Sequence, residues 1–247
     1  MSRGSVNLRL LLLNDIKHSD GRTLSIDPPL SYIETISAKA LTSLCQERSV
    51  DAMVRHRPQL AYFIAAQIMR TASFRALLND AQRIGHEEDI ARGELGLEWT
   101  EMYSKMAHAQ FYLNRVHEAV MLAKMRWMLV YNLTKLPFHV SDHPIAICGP
   151  DPNIFGGAVG LNTVGVRVHV PLDPHLALSL RHRNELIDIG ALIYATMDEV
   201  QALNYQQVWW SHRHVFAPTN DFRLTKKMVE ACPELANPNR PRIIKAS

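Results

Sequence analysis

The chain contains few cysteines and no paired cysteine motif. Cys45, Cys148 and Cys232 are an odd number in 247 residues, and none lies within zinc-knuckle spacing of another. This count argues against a secreted disulfide framework and is typical of a reducing compartment. We therefore expect a cytoplasmic protein.

The chain also lacks long apolar runs. No segment approaches the roughly 20 consecutive apolar residues that span a bilayer. The four leucines at 10–13 are too short a run for a signal-peptide core, and no cleavage motif follows them. We expect no membrane as a partner.

Charge of either sign is not in large excess, since 27 Lys and Arg face 24 Asp and Glu, a net charge of +3. A nucleic-acid-binding domain usually shows a much stronger basic stripe. Basic residues do outnumber acids after Gln201, and aromatic residues such as Tyr205 and Trp209 lie among them. That region is either a solvated face with packed aromatics or a stacking surface for single strands.

Composition and pattern order predict the fold class. Hydrophobic residues make up 47% of the chain and charged residues 21%, which allows a sizeable core. Helical patterns precede strand patterns, which predicts α+β: a helical N-terminal half packed on a small, mostly antiparallel sheet formed by the C-terminal half. We expect an irregular segment over 1–30, a single domain over 31–220 (helical over 31–125, sheet plus helix over 126–220), and a helix with a frayed tail over 221–247.

Capping residues indicate where helices begin. Ser31 and Glu34 form a capping-box pattern for a helix that would run to about residue 46, and Ser49 or Asp51 would cap the next helix. Further helices are expected over 97–110, 111–124 and 196–208, the last with Thr196 and Glu199 as its capping box.

Residues 60–69 are apolar except Gln67, which indicates a helix that is buried on all sides. The pattern continues to a predicted stop at Gly85. Arg70 follows Gln67 by one turn, so both side chains leave the helix on the same side. Arg70 is then either a clamp for a phosphate or carboxylate ligand, or a salt-bridge partner that holds helix to sheet.

Period-two patterns predict strands from residue 127 onwards. The valines at 164, 166, 168 and 170 would share one face, with Arg167 and His169 on the other. Strands are expected over 127–133, 138–140, 145–148, 164–170, 176–180 and 214–217.

The segment 138–144, FHVSDHP, is typical of a strand that ends in a turn, because the proline keeps His143 extended. His139, Ser141 and His143 would then share one face, with Asp142 on the other. Asp142 is either a general base or metal ligand at a strand end, or an Asx-turn residue that bonds its own backbone.

Two weaker patterns leave cofactors and metals open. His212 and His214 would share a strand face at a spacing that suits zinc or iron, but no HExxH or CxxC accompanies them. Histidines scattered on strand surfaces are the alternative. The glycines at 156, 157 and 160 precede strand-like sequence and lack the lysine of a phosphate loop, which indicates a flexible loop that could act as a lid.

Five segments together resemble the domain of unknown function 4238 family over roughly residues 30–218. They are 32–34 (YIE), 63–71 (FIAAQIMRT), 138–145 (FHVSDHPI), 170–174 (VPLDP) and the helix and strand of 200–216. The resemblance implies a bacterial intracellular protein without a settled activity. It directs attention to Gln67, Arg70, Asp142, His143 and Asn204.

The chain departs from the family pattern in two places. Members usually open with a His-aromatic-Val-Pro segment that this chain lacks, so we expect an N-terminal truncation. His143 stands where the pattern usually carries Asn. If the missing segment completes the site, the chain would be inactive.

These residues support a leading hypothesis of a polar site at the helix–sheet junction for an anionic, phosphate-bearing ligand. Arg70 would neutralise a nucleotide or nucleic-acid phosphate, Asp142 would act as base or metal ligand, and His143 would be its acid–base partner. Gln67 and Asn204 would bind the ligand. The reaction would be hydrolysis.

The alternative is a non-enzymatic regulatory or defence-associated interaction module. Arg70 and Asp142 would then form a structural ion pair, and the basic, aromatic C-terminal third would contact a partner. A scaffold stabilised by oligomerisation is a third interpretation. The sequence leaves open whether the chain is an enzyme and what its oligomeric state is.

Overall fold

The computed structural model describes residues 15–17, 23–25, 27–92, 115–150, 160–185 and 191–240. The fold is α+β, as predicted. None of the described helices combines the length and apolar character needed to cross a membrane. The four leucines at 10–13, the helix expected over 97–110, the start of that over 111–124, and the glycines at 156 and 157 lie outside the described residues.

Helices dominate the first half of the chain. A hairpin of β1 (Asp15–Lys17) and β2 (Thr23–Ser25) comes first. It is followed by α1 (Asp27–Glu47), α2 (Val50–Arg55), α3 (Arg57–Arg70), α4 (Ala72–Ala91) and α5 (Arg115–Lys124).

Strands dominate the second half. They are β3 (Arg126–Asn132), β4 (Val140–Ser141), β5 (Ala146–Cys148), β6 (Arg167–Asp173), β7 (Leu176–Arg181), β8 (Leu192–Ala195) and β9 (Val215–Phe216). Two helices accompany them, α6 (Met197–Trp210) and α7 (Arg223–Ala231), with a 3₁₀ turn at Pro233–Ala236.

The helix α1 begins at Asp27, so the predicted start at Ser31 is wrong. Pro28 and Pro29 occupy its first turn, where a missing N–H removes no intrahelical bond. The predicted Ser49 cap of α2 is confirmed, because its hydroxyl accepts the Ala52 amide at 3.1 Å.

The predicted helix stop at Gly85 is also wrong. The buried helix α3 ends at Arg70, since Thr71 is extended with φ −81° and ψ 152°. The Thr71 hydroxyl accepts the Phe74 amide at 3.2 Å and so satisfies one of the first free N–H groups of α4. The helix α4 then passes through Gly85 to Ala91.

The central sheet has five strands in the order β5-β6-β7-β3-β8. All neighbours are antiparallel except β3 and β8, so the prediction of a mostly antiparallel sheet is confirmed. Side chains alternate between two faces. The first face carries Val168 and Val170 of β6, Leu178 and Leu180 of β7, and Leu129 of β3.

The helices cover the first face and form the main core with it. Leu60, Ile64 and Ile68 of α3 belong to the same buried cluster as Val168 and Leu178. Eight of the fourteen residues of α3 are buried, which confirms the predicted buried helix. Val164, expected on the same face as the other valines, is 63% exposed because β6 begins only at Arg167.

The second face is covered in part by α6. Val130, Ala177 and Ala195 of the strands form a smaller core with Val200 of α6 and with Phe138. The helix begins at the predicted capping box: the Thr196 hydroxyl accepts the Glu199 amide, and the Glu199 carboxylate accepts the Thr196 amide.

A buried arginine holds the C-terminal segment. The Arg240 guanidinium donates to the carbonyl oxygens of Leu235, Asn237, Trp209 and Ser211 at 2.7–3.2 Å. The expected fraying beyond Ala236 therefore does not hold for residues 237–240.

Replacing Arg240 with alanine should lower the free energy of unfolding by about 2–4 kcal/mol. The substitution leaves carbonyl oxygens without their donor in a buried place. Urea denaturation measures the effect. Arg213→Ala is the control, because the Arg213 side chain is exposed two residues after Ser211, whose carbonyl oxygen Arg240 binds. Equal, small losses in both variants would show that the Arg240 contacts do not hold the segment.

Candidate functional site

The Asp142 carboxylate binds backbone amides. One carboxylate oxygen accepts the His212 amide at 2.7 Å, and the other accepts the amides of Arg213 and His214 at 2.8 and 3.2 Å. The Asp142 amide in turn donates to the His214 carbonyl at 3.1 Å. The carboxylate thus fixes the turn that leads from α6 into β9. The Asx-turn alternative predicted backbone amides as the partners of Asp142. It placed them next to Asp142 in the sequence, whereas they belong to residues 212–214.

Two side-chain amides of α6 hold the same stretch of chain. Asn204 is fully buried, accepts the His139 amide at 2.8 Å and donates to the Pro137 carbonyl at 2.9 Å. Gln207 accepts the Ser141 amide at 3.0 Å and donates to the Pro144 carbonyl at 3.1 Å. Asp142, Asn204 and Gln207 together form what we call the latch, which joins residues 137–144 to α6 and to the turn after it.

Arg70 forms a salt bridge with Glu34 of α1, with 2.9 Å between Nη1 and Oε1. The Arg70 side chain is 12% exposed and the Glu34 side chain 58%, so the pair is worth at most about 1 kcal/mol. The proposed ion pair of Arg70 with Asp142 is therefore wrong. The salt-bridge interpretation of Arg70 is right, but it connects helix to helix rather than helix to sheet.

The end of α3 and the segment after β4 are in contact, but through Thr71 and His143 rather than through Arg70 and Asp142. The Thr71 hydroxyl lies 2.5 Å from His143 Nδ1, and the His143 ring stacks on Trp210 with centroids 5.3 Å apart. His143 is 1% exposed, which leaves it little access to a ligand from solvent. Gln67 is buried within α3. The expected residues therefore gather near one junction, but as parts of its packing.

The histidine and metal patterns gain no support from the geometry. The His212 amide binds Asp142, and the His214 ring contacts Phe216. Within the described ranges, no three His, Cys, Asp or Glu side chains lie close enough to hold one metal ion.

Replacing Asp142 with asparagine should lower the free energy of unfolding by about 2–3 kcal/mol. The substitution removes the charge and turns an NH₂ group toward backbone donors. Chemical denaturation measures the loss. Asp198→Asn is the matched control, because Asp198 is exposed in the first turn of α6 and should lose less than about 1 kcal/mol. If Asp142→Asn left stability unchanged, the carboxylate would not be structural, and Asp142 would again be a candidate catalytic group.

A cavity of about 450 Å³ opens at the end of the sheet where β3 begins and β7 ends. Among the described residues that line it, five side chains are cations and one is a carboxylate. These six residues, which we call the cationic cavity, are Arg57, Lys124, Arg126, Arg181, Arg183 and Glu185.

Contacts within the protein hold three of the arginine side chains that line this cavity. The Arg57 guanidinium lies 5.7 Å from the ring centroid of Trp127 and donates to the Met125 carbonyl, and burial lowers the pKa of Arg57. Arg126 donates to the Glu185 carbonyl at 2.6 Å. Arg181 lies 3.6 Å from the Glu185 carboxylate. Lys124 and Arg183 are exposed at the rim.

The cavity opens onto a row of three arginines on the second face of the sheet. The register places Arg181 of β7 opposite Arg126 of β3 and opposite Arg167 of β6. Like charges directly opposite on neighbouring strands destabilise a sheet. The Glu185 carboxylate lies 3.6 Å from Arg181, the central arginine of the row.

The next residues along the strands are polar as well. His169 lies opposite Ser179, and Ser179 lies opposite Met128, which also lines the cavity. Arg167 Nε, Arg181 Nε, His169 Nδ1 and Ser179 Oγ are all buried, and each lacks a hydrogen-bond partner within the described part of the chain. Leaving such a group unsatisfied costs about 1–3 kcal/mol.

The His169 imidazole is neutral across the physiological range. Burial, then the charges of Arg167 and Arg181, lower the pKa of His169 to about 3. Next to Arg167, burial raises the pKa of the Cys148 thiol to about 12. Neither group adds charge to the arginine row near pH 7.

Replacing His169 with glutamine should flatten the acid side of the stability profile. The unfolded histidine takes up a proton near pH 6.5 and the folded one only near pH 3, so stability decreases as the pH falls through that window. The wild type should lose up to about 2 kcal/mol between pH 7 and pH 5 that the variant retains. Urea denaturation at both pH values tests this, with the exposed His117→Gln as control. An unchanged pH dependence in His169→Gln would contradict the burial of the neutral ring.

Residues 13–221 match the family described as protein of unknown function DUF4238. The chain belongs to this family. No curated protein and no solved structure matches it. The resemblance expected from the motifs is thus confirmed. The family match extends across the latch, the cationic cavity and the arginine row, without an assigned activity for any of them.

Sequence reasoning did not select the cationic cavity or the arginine row as a site. One signal was present, because Arg167 and His169 were placed on the face opposite the valines. The pairing of these residues with β7 could not be read from the sequence. The β6–β7 turn follows Asp173, and a register shift between Pro171 and Asp173 determines that Arg181 lies opposite Arg167 and Ser179 opposite His169.

Proposed function

We propose that this DUF4238 family member binds an anionic, phosphate-bearing ligand in the cationic cavity. The observation that carries the proposal is the described lining of the cavity, in which five cations face one carboxylate around about 450 Å³. The volume is that of a small-molecule site. The ligand class, a nucleotide or other phosphate ester, is the one expected for the polar site from the sequence, at a different place in the fold.

The charge distribution supports an anion rather than a neutral ligand. A cleft lined by one sign of charge focuses the field and raises the local concentration of the opposite ion. Arginine also presents a planar fork that matches phosphate oxygens in a bidentate way. Arg57 and Arg126 donate to backbone carbonyls, so these two side chains are already oriented before a ligand binds.

Hydrolysis is not part of this proposal. The carboxylate favoured as its base, Asp142, is committed to three backbone amides of the following turn. The non-enzymatic alternative required an ion pair of Arg70 and Asp142, and Arg70 pairs with Glu34 instead. A bacterial, cytoplasmic setting belongs to the proposal, supported by three cysteines that are all free thiols.

A variant of the two rim cations should lose affinity without losing the fold. In Lys124→Gln/Arg183→Gln, both changed side chains are exposed, so we expect a small effect on stability. Affinity for nucleotides or pyrophosphate should fall at least about tenfold, because two charge-assisted contacts are removed. Isothermal titration calorimetry at fixed ionic strength measures it, after a thermal-shift screen with phosphate, nucleotides and short oligonucleotides.

The matched control is Lys226→Gln/Lys227→Gln, which removes the same charge from the exposed side of α7. Its affinity should stay within about twofold of wild type. Equal losses in both double variants would show attraction to net charge rather than a site. A wild type that no anion stabilises would overturn the proposal. A steep decrease of affinity with salt for oligonucleotides alone would identify nucleic acid as the ligand.

A further inference from the structure

The second face of the sheet carries a group of polar side chains with buried atoms that have no hydrogen-bond partner among the described residues. Arg167 and Arg181 are opposite one another, and His169 and Ser179 are opposite one another on the same two strands. All four side chains lie on one face because each is two residues from the next along its strand. The apolar core of α6 covers other positions on this face, at Val130, Ala177 and Ala195.

The buried atoms of this group can all donate hydrogen bonds. They are the Nε–H groups of Arg167 and Arg181, the Ser179 hydroxyl, and His169 Nδ1 in one tautomer of its neutral ring. Ser179 is 2% exposed, and its Oγ has no partner among the described residues. Buried polar groups in proteins are nearly always satisfied by protein, water or a bound ligand.

We propose that Arg167, Arg181, His169 and Ser179 form a buried subsite for a tetrahedral oxyanion, into which the ligand of the cationic cavity inserts a terminal phosphate. The inference rests on the proposed function for the link between cavity and subsite. Arg181 belongs to both, and Met128, which lines the cavity, lies directly opposite Ser179. The proposed subsite therefore borders the cavity along the sheet.

The donor arrangement favours phosphate over carboxylate. Four side chains project from the same face of two neighbouring strands, and a tetrahedral ion can offer an oxygen to each, whereas a carboxylate offers two oxygens in one plane. The charge also favours an anion, because among the described residues Arg167 and Arg181 outnumber the carboxylate of Glu185, whose Oε2 lies 3.6 Å from Arg181. The neutral His169 supplies a donor without adding charge.

The sharpest test is Ser179→Ala, because it should separate binding from folding. The Ser179 hydroxyl has no partner within the described ranges of the ligand-free chain, so its removal should leave the melting temperature unchanged or slightly higher. The affinity for inorganic phosphate should fall about tenfold. Arg167→Gln should lower it further, and titration calorimetry at constant ionic strength measures both.

Two comparisons make the test specific. Sulfate should bind about as well as phosphate, and acetate at least about tenfold more weakly. The control variant Lys226→Gln/Lys227→Gln should change phosphate affinity less than about threefold, because its side chains lie on α7, outside the cavity and the subsite. A Ser179→Ala protein that melts lower and binds phosphate as tightly as wild type would show a structural hydroxyl and overturn the inference.

The outcomes also distinguish this inference from the proposed function. If nucleotide binding depends on Lys124 and Arg183 but Ser179→Ala and Arg167→Gln leave phosphate affinity unchanged, the cavity proposal holds and the subsite proposal fails. If phosphate binding depends on Ser179 and Arg167 but no larger ligand binds, the subsite proposal holds and the cavity proposal fails. If the wild type binds neither ligand, both proposals fail.

Discussion

The pleat and register of β3, β6 and β7 are the constraint on which both the core and the candidate site depend. Once Leu129, Val168 and Leu178 face the helices, every neighbouring residue in those strands must face the other way. That alternation places three arginines in one row on the second face. A register shift of one residue would put the arginines into the core, so burial of the first face maintains the polar arrangement of the second.

The latch shows how a polar cluster at the ends of apolar elements can be architectural. The strand β4 has only two residues, Val140 and Ser141, and pairs only with the equally short β9. Its backbone groups therefore need other partners, and Asn204 and Gln207 of α6 supply them. Asp142 does the same for the turn before β9.

Patterns among neighbouring residues predicted many of the helices and strands, but they could not predict contacts between residues that are far apart in the sequence. The capping box of Thr196 and the apolar run of α3 depend on neighbours within a few residues, so their patterns were sufficient. The partners of Asp142 lie about 70 residues away along the chain, and nothing near Asp142 distinguishes a backbone ligand from a base. The break at Thr71 was missed because its cause is one extended residue within a continuous apolar pattern.

The arginine row is difficult to explain as a stabilising feature. Opposed like charges on neighbouring strands work against the sheet. An apolar residue at Arg167 would remove the repulsion between Arg167 and Arg181, and it would remove one buried Nε that has no partner among the described residues. The latch, by contrast, satisfies the polar groups it contains. Sequences depart from such local consistency mainly at functional sites, which favours the second face of the sheet over the latch as the location of the proposed ligand site.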